Sequence, residues 1–480
     1  MSWPLTFNAT ELQILQLNAL RGITMTANDT DGVLPKHAVR PSSGGLGTEP
    51  SPNTAGLKPI DRNLRRKVVT ATFIGNFVEW FDYAVYGYLA ASIAVVFFPS
   101  GNPTAQLLGA WGVFAVSFIV RPLGGFFWGW LGDRYGRKTA LSWSILLMSI
   151  ATFCIGLLPG YATVGILAPL LLLLVRVVQG FSAAGEYAGA SAFLVEYAPK
   201  GRRGLYAAVV PASTSTGLLF GLLFVTVLTA VMGQGVVDDW AWRIPFFLAA
   251  PLGLIGHYIR TRLEDTPAFA ELEEQDEVIK APWKNLFVEH WRLLLQCLGA
   301  ALLNAVAFYV LLSYMPNYLE SQLNLSAGQA NTMTSISLLT YIGFILLTGS
   351  LSDRLGRRRV LLSASVTMFL LAIPAFMLLD EGFILGTIVL VIMGATLTLN
   401  DGVLPSFLSE QFPTKIRYSG FAVSFNTANA LFGGTAAFFA TLLISTTGST
   451  LAPAWMLMAA AAVAFVSVLL ARETSHEELR

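Results

Sequence analysis

The sequence predicts an all-α membrane protein with twelve transmembrane helices arranged as two pseudo-symmetric six-helix bundles. Three observations predict it. The 480-residue chain is 54% hydrophobic and 12% charged, with a mean hydropathy of +0.62; that is roughly half the charge density of a soluble domain. Its apolar residues gather into runs of roughly the 20 residues that cross a bilayer. A ten-residue segment occurs twice, as G-W-L-G-D-R-Y-G-R-K (Gly129–Lys138) and G-S-L-S-D-R-L-G-R-R (Gly349–Arg358), 220 positions apart and each closing an apolar run.

Taken in order, residues 1–60 are polar and rich in Pro, Gly, Ser and Thr between Asn28 and Pro59. They read as a disordered cytoplasmic tail, with Met25 as an alternative start to Met1 and no leader pattern. Six runs follow, near 68–98, 106–128, 139–158, 164–195, 205–232 and 243–260, giving an N-terminal bundle over 61–260. The stretch 261–291 holds Glu271, Glu273, Glu274, Asp276 and Glu277 and reads as a solvated cytoplasmic linker. Six more runs, near 292–316, 328–348, 360–379, 384–410, 420–446 and 454–472, give a C-terminal bundle over 292–472, and 473–480 form a short cytoplasmic tail.

Orientation follows from charge. Arg134, Arg137, Lys138, Lys200, Arg202, Arg203, Lys280, Arg354, Arg357, Arg358 and Lys415 all fall in loops on one side. The loops near 99–105, 159–163, 233–242, 317–327, 380–383 and 447–453 hold no Lys or Arg. Basic residues stay inside, so both termini are expected in the cytoplasm. A second repeat supports the duplication: Glu196, Pro199 and Arg203 follow the fourth run, and Glu410, Pro413 and Arg417 follow the tenth at the same spacing. Duplicated halves around a midplane cavity are the architecture of alternating-access transporters.

Composition also excludes function classes. A net charge of +1 points away from nucleic acid. Cys154 and Cys297 both lie in apolar runs and read as buried thiols, and the four His residues are scattered. Neither a metal site, a cofactor, a phosphate loop nor a nucleophile–base pair is expected, so the chain does not read as an enzyme. The expected partners are the bilayer, a small solute and protons, with the chain acting as a monomer.

In the repeated segment, Gly129, Gly136 and Gly356 allow tight turning and close helix approach. Asp133 and Asp353 are positioned to accept hydrogen bonds from a neighbouring helix N-terminus, where the dipole is positive. Arg134, Arg137, Arg354 and Arg357 sit beside them at the anionic inner leaflet. Together these residues are the candidate cytoplasmic gate; the plainer reading is that the basic residues only set topology.

Ionisable groups at membrane depth usually face a cavity. Glu79 and Asp82 in the first span, Arg121 in the second, Arg176 and Glu186 in the fourth, and Asp401 in the tenth are the candidates for proton coupling or substrate binding. Glu79 and Asp82 share a helix face, and Glu79 lies at a depth within roughly 3 Å of Arg121, which predicts a pair. Arg176 and Glu186 are about 15 Å apart along one helix, so each needs a partner elsewhere. Four carboxylates against two guanidiniums leave one tending to hold a proton. For Asp401, near Pro405, simple pairing or access to water is an equal alternative. Trp80, Tyr83 and Tyr86, with Phe308, Tyr309 and Tyr314 in the seventh span, form facing aromatics that could hold a quaternary ammonium, or simply pack.

These segments resemble the major facilitator superfamily over about residues 60–472, and within it the metabolite:proton symporters. The superfamily turn appears twice, as quoted. The narrower likeness rests on G-N-F-V-E-W-F-D-Y-A-V-Y-G (Gly75–Gly87), R-P-L-G-G (Arg121–Gly125), R-V-V-Q-G-F-S-A-A-G-E-Y (Arg176–Tyr187), W-R-I-P-F-F (Trp242–Phe247) and L-E-D-T-P-A-F (Leu263–Phe269). S-I-A-T-F-C-I-G-L-L-P (Ser149–Pro159), Y-V-L-L-S-Y-M-P-N-Y-L (Tyr309–Leu319) and F-P-T-K-I-R-Y-S (Phe412–Ser419) are similar to the proline/glycine-betaine permease branch. The resemblance implies proton-driven uptake of a zwitterionic compatible solute such as proline, glycine betaine or ectoine across a bacterial inner membrane. Asn400–Asp401 departs from that branch and leaves the exact solute open; the rival readings are proton symport of an organic acid such as 2-oxoglutarate, shikimate or a citrate-like acid, and proton-driven drug export. The long C-terminal coiled coil of some osmosensing members has no counterpart before Arg480.

Overall fold

Long apolar runs must satisfy their own backbone donors and acceptors inside a bilayer, and the helix does so segment by segment. The computed structural model describes residues 62–479 apart from 100, 102, 276, 277 and 279–281, and these are almost entirely helical. The expected tail 1–60, and Asp276, Glu277 and Lys280 of the linker, lie outside the described residues.

Among the described residues, ten helices are long and apolar enough to cross a membrane, and a bent pair makes an eleventh span. The spans are α1 (Arg62–Tyr88, continuing after a 68° bend as Ala90–Phe97), α2 (Leu108–Tyr135), α3 (Arg137–Leu157), α4 (Leu167–Tyr197) and α5 (Arg203–Met232). The remaining six-helix order completes the first half with α6 (Ile244–Thr261). The second half holds α7 (Trp291–Ser321), α8 (Gly328–Leu355), α9 (Arg357–Leu378), α10 (Phe383–Gln411), α11 (Thr414–Thr447) and α12 (Ala452–Leu469). Helix α6 is the twelfth expected span; it has 18 residues, carries His257 and Arg260 near its end, and is not among the eleven.

Two features differ from the sequence reading. The first run is not straight: it breaks between Gly87 and Ala90, where a glycine weakens the helix. The repeated segment is not mainly a turn. Gly129 to Tyr135 and Gly349 to Leu355 are the last turns of α2 and α8, and the chain reverses only at Gly136 and Gly356. Their φ values of 96° and 97° are accessible to glycine at little cost.

The packing repeats with the sequence. In the first half α1 packs on α5 and α6, α3 on α4 and α6, and α2 on α4. In the second, α7 packs on α11 and α12, α9 on α10 and α12, and α8 on α10. The halves meet along α2 with α11 and α5 with α8. Large apolar side chains such as Val231, Leu347, Leu370 and Ile384 face outwards, as a lipid-facing wall requires.

Candidate functional site

Two sets of buried polar residues stand out, one midway along the helices and one at the end that carries the repeated segments, called here the basic end.

The midway set begins on α1. Gly75, Glu79 and Asp82 fall on one face of the helix, and each meets a different arginine. Glu79 pairs with Arg121 of α2 at 3.5 Å, the pair anticipated from depth. Asp82 lies 3.7 Å from Arg176 of α4, and Gln179 bridges the two while also donating to Thr152 Oγ1 at 2.7 Å. Glu186 of α4 takes both guanidinium nitrogens of Arg260 of α6, one at 2.7 Å. A Cβ on Gly75 would overlap Arg260 and lie 2.7 Å from Glu186 Oε1, so only glycine lets this pair pass α1. All six ionic side chains are buried.

Arg260 changes the charge tally. The sequence reading counted two guanidiniums against four carboxylates and left out Arg260, which lies at the very end of the sixth run. With it, three carboxylates have three partners. The fourth, Asp401 of α10, is fully buried and accepts from Asn304 Nδ2 at 2.8 Å and from the Tyr341 hydroxyl at 2.7 Å. Among the described residues no cation lies within ion-pair distance of it. Asn304 and Tyr341 are neutral, so charge counting gave no signal for them.

Asp401 and Asn304 line a small space on the seam between the halves, bounded by Trp80, Tyr187, Phe308 and Phe425. Its volume of about 10 Å³ is room for one water at most. Two ring contacts cross the seam here: Trp80 with Phe308 at 5.3 Å and Tyr187 stacked on Phe425 at 4.4 Å. Of the six aromatics expected at the site, only Trp80 and Phe308 reach this space. Tyr83 packs 4.8 Å from the Arg121 guanidinium and Tyr86 lies 3.8 Å from that of Arg176. Tyr309 packs edge-on against Phe118 at 5.5 Å, and Tyr314 contacts Thr441 at 3.2 Å. A π-helical stretch over Tyr309–Tyr314 takes these residues out of register with Phe308. Tyr187 follows Glu186 directly, within a segment already singled out, and Phe425 had no local signal.

At the basic end the two repeats interlock. Asp133 of α2 accepts from the backbone N–H groups of Tyr418 (3.2 Å) and Ser419 (2.8 Å) at the start of α11. Asp353 of α8 accepts from Gly204 (2.8 Å) and Leu205 (3.0 Å) at the start of α5. Each is therefore bound to a helix N-terminus, and that helix belongs to the other half. Arg137 lies 3.2 Å from Asp133 and 3.4 Å from Glu196, and donates to Thr414 O at 2.6 Å. Arg357 contacts Asp353 at 2.9 Å and Glu410 at 3.1 Å. The second repeat closes the exchange: Glu196 holds Arg417 at 2.7 Å, and Glu410 lies 3.7 Å from Arg203. Arg134 and Arg354 stand outside this network; Arg134 lies 5.1 Å from the Tyr135 ring and Arg354 is exposed. Gly129 sits against Ser419, where a Cβ would come within 2.6 Å of its Cα.

A third correspondence was not read from the sequence. Asp265, just past α6, accepts from the backbone N–H of Arg137 at 3.1 Å. Glu473, just past α12, accepts from those of Arg357 and Arg358 at 2.9 and 3.0 Å. These carboxylates cap α3 and α9, and side chains on Gly136 or Gly356 would block them. Burial raises Asp265 above the usual carboxylate range. Burial pushes Glu473 the same way, but the N–H groups of Ser475, Arg357 and Arg358 together outweigh it and hold Glu473 below its usual range. Beyond Glu473 the chain lies across the basic end. Thr474 donates to Glu410 at 2.9 Å, Arg203 to Glu477 O at 2.8 Å, and Lys200 pairs with Glu478 at 2.6 Å.

Comparison with known proteins agrees with this geometry. The family description Major Facilitator Superfamily matches residues 72–326 and 297–480. The proline/betaine transporter of Salmonella typhimurium (strain LT2) is 40% identical over 433 residues, covering 88% of this chain and 86% of that one. The glycine betaine/proline/ectoine/pipecolic acid transporter of Dickeya dadantii (strain 3937) is 41% identical with the same coverage. A proton:xylose symporter bound to 6-bromo-6-deoxy-D-glucose shares the fold, with a TM-score of 0.73 at 16% identity over 88% of this chain and 98% of that one.

Proposed function

This chain belongs to the major facilitator superfamily, and we propose that it is a proton symporter that takes up a small zwitterionic compatible solute, such as proline, glycine betaine or ectoine, by alternating access. The names of its relatives support the solute class. The basic end is then the cytoplasmic face of an inner membrane, both termini are inside, and residues 61–260 and 292–472 are the two moving bodies, joined by 261–291. Each chain carries both halves and works as a monomer.

The observation that carries the reading is Asp401: a buried carboxylate on the wall of the seam space, held by two neutral donors and, among the described residues, by no cation. Ionised, it repels a solute carboxylate; protonated, it donates to one. Solute and proton therefore enter together, which is the condition for symport. The solute's ammonium meets the rings of Trp80, Tyr187, Phe308 and Phe425, drawn by cation–π attraction. The rings have no such use for an organic acid, which favours the zwitterion over that rival. In this reading Glu79–Arg121, Asp82–Arg176 and Glu186–Arg260 fix α1, α2, α4 and α6 to one another. The seam space is too small for the solute here, so the halves must part to load it.

The test is reconstitution with Asp401→Asn. Counterflow of labelled betaine, which needs binding and rocking but no gradient, is expected to persist, with proline and ectoine competing and 2-oxoglutarate not. Accumulation driven by a pH gradient is expected to vanish. Gradient-driven accumulation at the wild-type level in this variant overturns the assignment.

A further inference from the structure

Outside the seam, one cleft at the basic end has a composition that the transport reading does not use. It has a volume of about 390 Å³ and lies between the start of α1 and the loop before α5. Among the described residues Arg62, Arg65, Arg66 and Arg202 line it together with Val69, Thr70, Pro199 and Tyr206, and no carboxylate is among them.

The loop between α4 and α5 shows that this is not the fate of every cation there. Lys200 pairs with Glu478, and Arg203 lies against Glu410 and donates to Glu477 O. Arg202, between them in sequence, turns instead to the cleft. Among the described residues Arg62, Arg66 and Arg202 have no carboxylate within ion-pair distance, whereas the basic residues of the repeats, Arg137 and Arg357, each have two. Guanidiniums facing one open cleft repel one another unless an anion sits between them. Their planar forks suit phosphate oxygens. Topology alone would spread such residues along the rim, not converge them on a cavity. Val69 and Thr70 lie about two turns into α1, where its charged first turns give way to the apolar run.

We infer that this cleft binds a phosphate anion, with the headgroup of an anionic phospholipid as its source at the membrane surface. A phosphate diester fits the cleft's charge, and its acyl chains would lie along the outer faces of α1 and α5.

The experiment uses the full-length protein in detergent and follows its melting temperature during titration with phosphatidylglycerol, phosphatidylcholine or inorganic phosphate. Phosphatidylglycerol is expected to raise the melting temperature of the wild type and phosphatidylcholine is not. In the variant Arg62→Gln/Arg66→Gln/Arg202→Gln the apparent affinity is expected to fall by about a hundredfold, at roughly fivefold per cation. Arg62→Lys/Arg66→Lys/Arg202→Lys, which keeps the charge, should retain most of the effect and guards against loss of fold. Lys284→Gln/Arg292→Gln/Arg359→Gln removes the same charge from exposed positions outside the cleft and should change little. A shift with inorganic phosphate that the cleft variant loses would support the site and make a free phosphate its source. No shift with either anion, or an equal loss in the two glutamine variants, would overturn the proposal, because the attraction would then be general to the basic face.

Discussion

Replacing Asp133 by Asn tests whether the basic-end lock governs the opening of the halves. Asp133 holds two N–H groups at the start of α11, at 3.2 and 2.8 Å, and lies 3.2 Å from Arg137. Asn keeps one acceptor oxygen and loses the second acceptor and the charge. A hydrogen bond to a charged group contributes about 1.5–3 kcal/mol, and a charge at a helix N-terminus about 0.3–1 kcal/mol more. Arg137 retains Glu196 and is not left unpaired. The expected loss is therefore about 2–4 kcal/mol, a factor of roughly 30 to 700 in the balance between closed and open basic ends. Spin labels at positions 135 and 359, on exposed residues at that end in opposite halves, would read this as a longer distance population. Asp353→Asn removes the matching contact between α8 and α5 and should give a similar shift, and the double variant should approach the sum. A folded Asp133→Asn protein with the wild-type distance distribution would refute the lock.

Three further outcomes follow from the Glu186–Arg260 pair and the two caps. Arg260→Leu strands Glu186 without a cation and is expected to cost about 3–5 kcal/mol; adding Glu186→Gln should restore much of that, as a double-variant cycle of melting temperatures would show. Gly75→Ala pushes a methyl group into the same pair and should destabilise by about 1–3 kcal/mol, read as a lower melting temperature with the helical content intact. The two caps should answer acid with opposite signs. Glu473 is held below its usual range, so its stabilisation is full above about pH 4.3 and fades as pH falls through the lowered value; the gap in melting temperature between wild type and Glu473→Gln should close in acid. Asp265 is raised by burial, so its contribution to stability should grow as pH falls through the raised value, and Asp265→Asn should abolish that trend.

Much of this protein could be read directly from its residues. The apolar runs became helices because a bilayer leaves a backbone no other partner, eleven of them long and apolar enough to cross a membrane if the bent first run counts as one, and the repeated D-R-x-G-R segment located the two aspartates that bind helix starts across the seam. The Glu79–Arg121 pair followed from depth alone, since helical rise converts sequence position into distance along the membrane.

Tertiary structure decided the rest. Only packing brought Arg260 to Glu186, and so showed that, of the four midway carboxylates, Asp401 is the one with no cation beside it among the described residues. Only packing crossed the second repeat, so that Glu196 holds the Arg417 of the other half and Glu410 lies against Arg203. Periodicity along a chain fixes which face a residue occupies and how deep it lies. Which helix meets that face depends on how the helices surround one another, and no local pattern encodes it.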